Sequence, residues 1–107
     1  MADGLVMYIV INEHIKINSQ ASPVIVNMVS KLLSDDPLLW REYTKNGVHP
    51  KIFLHATVEE MEDLIKKYPC CWRRDVGRTQ VSDGTLTAIA FPPVIKSRAP
   101  QELFKLL

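Results

Sequence analysis

The sequence predicts an α/β fold in three layers, a four-stranded mixed β-sheet with helices on both faces. Three observations predict it. LVMYIVI at 5–11 is apolar at every position, as expected of a strand covered on both sides. Between it and the strand-like KIFLHA at 51–56 lie two stretches with helix start signals, and a third follows directly after. The last two strand candidates, CCWR at 70–73 and TLTAIAF at 85–91, are joined too briefly for a crossover helix, so they are expected to pair antiparallel.

Each element has its own local signal. In SPVIVNMVSKLL, Ser22 is suited to cap a helix and Pro23 to its first turn, so a buried helix is expected to about Leu33. Asp36 and Pro37 repeat that signal and open a second helix through LLWREYTKN, which Gly47 stops because glycine accepts the left-handed conformation of a closing turn. After KIFLHA, Thr57 followed by Glu60 is a capping box. The helix it starts carries Val58, Met61, Leu64 and Ile65 on one face and ends at Pro69. A short terminal helix from about Pro100 closes the chain. Trp40 and Tyr43, at helical spacing, are read as core anchors.

Composition limits the partners. The 107 residues are read as one domain, with 47% hydrophobic and 23% charged residues, far from the signature of disorder. A formal net charge of +1 announces neither a nucleic acid nor a membrane surface, so any such interaction must rest on a local patch. The run at 5–11 is too short for a membrane span, and no membrane association is expected. Cys70 and Cys71 are adjacent and are read as reduced, partly buried thiols, because neighbours on a strand point to opposite faces. An intracellular protein is expected. Neither the cysteines nor His14, His49 and His55 stand at zinc spacing, so no metal and no cofactor is assigned.

The chemistry concentrates in RDVGRTQVSDGTLT, residues 74–87, a polar stretch between two apolar strands. Asp75, Thr79 and Thr87 supply a carboxylate and two hydroxyls. Arg73, Arg74 and Arg78 form a positive cluster that Lys66 and Lys67 extend upstream, with Asp75 as the only acid from 66 to 78. A carboxylate of this kind can orient or deprotonate a water, hydroxyls can hold that water or a developing oxyanion, and guanidinium groups attract phosphates. A second reading of the same residues is structural: Asp75 pairs with a neighbouring arginine and accepts turn hydrogen bonds. Trp72, bordering the cluster, is the one aromatic placed for a nucleotide contact.

RDVGRTQVSDGTLTAIAFPP resembles the RDAGRTQIAPGTxTxLxIGP signature of the archaeal and eukaryotic type of peptidyl-tRNA hydrolase, the second class. The remainder follows in the same order. VMYIVINEHIKI is similar to the family's opening strand and LKMG segment, LLWREYTKNGVHPKIFLHA to its W-x6-GQPKVVLKV region, and PQELFKLL to its terminal helix ending in HLKLL. The resemblance implies hydrolysis of the ester between a peptide and tRNA, on a four-stranded mixed sheet and without a metal. It implies a catalytic role for Asp75, Thr79 and Thr87, with Lys16 as the family lysine that remains, and RNA contact by the arginine and lysine cluster. The implied partner is peptidyl-tRNA and the implied setting cytoplasmic; a homodimer is compatible with it.

The chain departs from the family at its other end. Where the family reads KMGKGK and then AAQxxHA, this chain reads KINSQASPVIVNMVSKLL. The second and third lysines are replaced around Ser19 and Ala21, and Met28 or Ser30 stands where the helix carries a histidine. Lys31 and His14 are the other groups near that end able to carry a charge. Two functional readings follow. In one the chain is a peptidyl-tRNA hydrolase with a relocated or absent cation; in the other its site has decayed and the fold serves as an RNA-binding or protein-interaction module.

Overall fold

A computed structural model of the chain describes residues 4–15, 21–74 and 84–107. Its elements follow the order β1 (Leu5–Asn12), α1 (Ala21–Asp35), α2 (Pro37–Thr44), β2 (Lys51–Ala56), α3 (Val58–Lys67), β3 (Cys71–Arg74), β4 (Leu86–Ala90), β5 (Val94–Ile95) and α4 (Gln101–Phe104). The main sheet has the order β2-β1-β4-β3. β1 and β2 are parallel, whereas β4 is antiparallel to both β1 and β3, which makes the sheet mixed as expected.

The alternation of side chains along β1 divides the core. Val6, Tyr8 and Val10 face α3 and α4, packing with Met61, Leu64 and Leu103. Met7, Ile9 and Ile11 face α1 and α2, packing with Val24, Met28, Leu32 and Tyr43. From Met7 to Ile11 every residue is wholly buried, which is why no polar residue interrupts this run. Each such aliphatic side chain contributes about 1.5–3 kcal/mol relative to exposure. Helices therefore cover both faces, and the three-layer expectation holds.

The local signals act largely as read. The Asp36 side chain accepts from the Leu39 amide at 3.2 Å with Pro37 in the first turn. Thr57 and Glu60 form both bonds of the capping box, at 3.1 and 2.8 Å. Gly47 has φ 75° and its amide reaches the Thr44 carbonyl at 3.0 Å. One assignment shifts: α1 begins at Ala21, so Ser22 lies inside the first turn and not at the cap. Pro23 still fits, because first-turn amides have no intrahelical partner to lose.

A fifth strand was absent from the sequence expectation. β5 pairs Val6 with Val94 and Leu5 with Ile95, running antiparallel along the same strand that β4 has just left. It continues β4 beyond Pro92 and Pro93, whose missing N–H groups interrupt the ladder. Two residues that follow a pair of prolines carry no periodicity to read, so the four-lane sheet was legible and its extension was not.

Tyr8 lies at the centre of β1 with its side chain fully buried, and its hydroxyl finds no hydrogen-bond partner among the described residues. Burial pushes its phenol above the ordinary range. An unpaired buried hydroxyl costs about 1–3 kcal/mol. Tyr8→Phe is therefore expected to raise Tm, by roughly 4–8 °C for each kcal/mol recovered. A fall in Tm on thermal denaturation would show that the hydroxyl is satisfied in solution.

Candidate active site at the carboxyl edge of the sheet

Strand directions bring the relevant chain segments to one edge. β1, β2 and β3 all end there, and β4 begins there, because β4 is antiparallel to its two neighbours. The outer carboxyl edge of an open α/β sheet is where such folds commonly bind ligands. Residues 16–20 follow the end of β1, and residues 75–83 join the end of β3 to the start of β4. Lys16, Asp75, Arg78 and Thr79, together with Ser19, lie outside the described residues, so what the structure supplies is the frame that holds them.

Thr87 is the family-matching residue that the structure does describe. It is completely buried in β4. Arg73 sits opposite Ala88 and Arg74 opposite Leu86, so Thr87 is the extra residue of a bulge, with no partner across from it. Its hydroxyl donates to the Arg73 carbonyl at 3.1 Å. That bond ties β4 to the last turn of backbone before Asp75. The bulge also changes the phase of β4: Leu86 and Ile89 both reach the α3 side, and Ala88 and Ala90 reach the α1 side.

The basic cluster is partly neutralised. Arg74 Nη1 lies 3.3 Å from Glu62 Oε2 on α3 and donates to the Gly84 carbonyl at 3.2 Å, bridging the two ends of the 75–83 segment. Lys67 Nζ is 3.0 Å from Asp63 and 3.2 Å from Glu102. The hydrogen bond to Asp63, then that to Glu102, holds its ammonium above the usual lysine range. Glu102 also accepts from the Tyr68 hydroxyl at 2.7 Å, and that bond is the chief reason its carboxyl titrates below the usual range. Lys67 thus serves the α3–α4 contact. Lys66 is exposed on the same helix, and Arg73 lies half-buried on β3.

At the other end, the substitutions acquire physical meaning. Ala21 is 2% exposed at the first position of α1 and belongs to the buried cluster between β1 and helices α1 and α2. Met28 is likewise core, whereas Ser30 is exposed. Lys31 pairs with Asp35 at 3.4 Å one helical turn on. His14 is exposed, its Nε2 3.8 Å from Glu13. Tyr43 is buried with its hydroxyl on the Pro50 carbonyl at 2.7 Å, and Trp40 packs beside it, so both anchor the core as expected. Trp72 is 47% exposed on the edge strand.

The cysteines offer no nucleophile. Both are free and half-buried. Burial, with a smaller contribution from Cys71, pushes the Cys70 thiol up to about 11. Burial also raises Cys71, against the opposing charge of Lys31. Thiols raised in this way stay protonated near neutrality and are poor attackers.

Two residues that sequence reasoning did not single out complete the frame. Glu62 holds Arg74, and its only signal was a position on the polar side of α3. Asn12, the last residue of β1, is wholly buried. Its Nδ2 donates to the Leu86 carbonyl at 2.9 Å, and its Oδ1 accepts from the His14 amide at 2.9 Å. A polar residue ending an otherwise apolar buried run was the available signal. Among the described residues no helix is long and apolar enough to cross a membrane.

Comparison with known proteins agrees with this frame. The chain is 30% identical over 99 residues to a peptidyl-tRNA hydrolase of Sulfurisphaera tokodaii, covering 82% of this chain and 76% of that protein. The family described as peptidyl-tRNA hydrolase PTH2 matches residues 5–106, from the first residue of β1 almost to the last residue. With the sheet order, the bulged β4 and the motif between β3 and β4 all inside that match, the chain belongs to the PTH2 family of peptidyl-tRNA hydrolases.

Proposed function

We propose that the chain hydrolyses the ester joining a peptide to the ribose of tRNA, acting in the cytoplasm. The observation that carries this reading is the family match across residues 5–106, which takes in Asp75, Thr79 and Thr87 together. Asp75 accepts a proton from water as that water attacks the ester carbonyl, giving a tetrahedral intermediate. Collapse of the intermediate breaks the bond to the ribose oxygen, which takes up a proton. Free tRNA and a peptide carboxylate result.

The other residues divide the remaining work. Thr79 contributes a hydroxyl beside the water. The Thr87 hydroxyl donates its one hydrogen bond to the Arg73 carbonyl, so in this arrangement it has no hydrogen to offer an oxyanion, and its service is to hold the end of β3. Lys16 is the family lysine left to face the developing negative charge. Phosphate contact falls on the basic cluster of Arg73, Arg74, Arg78, Lys66 and Lys67, of which Arg74 and Lys67 also pair with carboxylates.

The test is incubation of the purified chain with an N-blocked aminoacyl-tRNA, following release of free tRNA. Cleavage proportional to protein concentration is expected. Retention of the RNA without cleavage would overturn the hydrolase reading and favour a module that binds tRNA without processing it.

A further inference from the structure

Asn12 and Thr87 together form a brace across three strands. The β1–β4 ladder runs through Ile9↔Ala90, Val10↔Ile89 and Ile11↔Ala88, and at the next step it meets the bulge at Thr87. There the side chain of Asn12 replaces the backbone: its amide reaches past Thr87 to the Leu86 carbonyl, 74 residues away in sequence. Thr87 in turn donates to Arg73 in β3. The orientation of the Asn12 amide is fixed by its partners, since a carbonyl requires the NH2 group and the His14 amide requires the oxygen.

We propose that Asn12 is a positioning residue for the hydrolytic site, setting the Leu86–Thr87 backbone, and through the Thr87 hydroxyl the end of β3, against the end of β1. The claim that this affects catalysis rests on the hydrolase reading above. Asn12 touches no reacting atom. Its full burial and the engagement of both ends of its amide distinguish it from a surface asparagine at a strand end. An apolar residue would serve the core better here unless the two bonds are needed, because burying an amide is favourable only when it is paired.

The experiment uses the full chain carrying Asn12→Leu or Asn12→Asp, each alone and combined with Thr87→Val, assayed above neutral pH and below the lowest Tm of the set. Both Asn12 variants lose the donor to Leu86, whereas Asn12→Asp keeps an acceptor for the His14 amide. Each is expected to lower kcat by about 10- to 100-fold, as a displacement near 1 Å does, with KM changed less than about two-fold. In the Thr87→Val background the further loss should be under about two-fold, because the two residues act in one chain of bonds. A loss confined to Asn12→Leu would assign the effect to the His14 turn, and losses that simply multiply would make the two residues independent; either overturns the proposal.

Hydrogen exchange separates this proposal from the hydrolase reading. In Asn12→Asp, backbone amides of residues 84–88 should exchange faster while those of β2 and α3 keep their rates. Unchanged exchange at 84–88 overturns the brace even in an active enzyme. Faster exchange in a protein that cleaves nothing upholds the brace and removes the hydrolase reading instead.

Discussion

Asp75→Asn is expected to lower kcat for an N-blocked aminoacyl-tRNA by roughly 10²- to 10⁴-fold, the range attributable to a general base, while KM stays nearly constant. The isosteric amide keeps volume and hydrogen-bonding capacity but cannot accept a proton at neutral pH. Its effect should therefore appear only where the water is deprotonated, in the transition state. Little effect on stability is expected, because a carboxylate in a polar connecting stretch contributes little to a core. Asp75 stands in a polar stretch between two strands, and the adjacent Arg74 engages Glu62 and the Gly84 carbonyl. Thermal denaturation should thus place the variant within about 0.5 kcal/mol of the parent, as for a substitution away from the core. Equal losses in kcat and in stability would identify Asp75 as a turn-forming residue and move the search for the base elsewhere.

Ala21→Lys should be severely destabilising, even though it brings back a residue type that the family carries in this region. Ala21 is 2% exposed and belongs to the buried cluster on the α1 side of the sheet, so a longer side chain must displace its neighbours or bend out along the helix. Overpacking of this kind costs about 1–3 kcal/mol. A cation in the first turn also opposes the helix dipole by about 0.3–1 kcal/mol. A total near 3 kcal/mol would lower Tm by roughly 12 °C or more in a domain of this size. Ser22→Lys, one residue on and exposed, is the control and should lose less than about 1 kcal/mol. An unchanged Tm for Ala21→Lys would mean that position 21 is not packed against β1. Restoring the family's cation is accordingly better attempted at Ser19.

The start of α1 and the β3–β4 side of the sheet differ in what surrounds them. The start of α1 has been given to packing: Ala21 fills the layer beneath β1, and Met28 occupies core space near the place where the family carries a histidine. The side formed by β3 and β4 carries the bulge at Thr87 and the bond from Thr87 to the Arg73 carbonyl.

The sequence alone determined the features that depend on neighbours within one helical turn or one strand. The capping box at Thr57 and Glu60, the Asp36 cap before Pro37 and the stop at Gly47 are each completed within a few residues, so their types and spacing suffice. The doubly covered β1 and the antiparallel close of the sheet were legible for the same reason, since periodicity and connection length are local quantities. The motif at 74–87 was legible as chemistry because its residues are contiguous.

Only the tertiary structure decided what those residues do to one another. It made Thr87 a bulge residue whose hydroxyl donates to the Arg73 carbonyl, turned Arg74 and Lys67 into partners of Glu62, Asp63 and Glu102, and buried Ala21. It also gave Asn12, ordinary in sequence, a bond to Leu86. The physical reason is common to all of them. Strand register sets which groups meet across tens of residues, and whether a polar or charged group is free, paired or buried depends on that meeting and not on its neighbours in the chain.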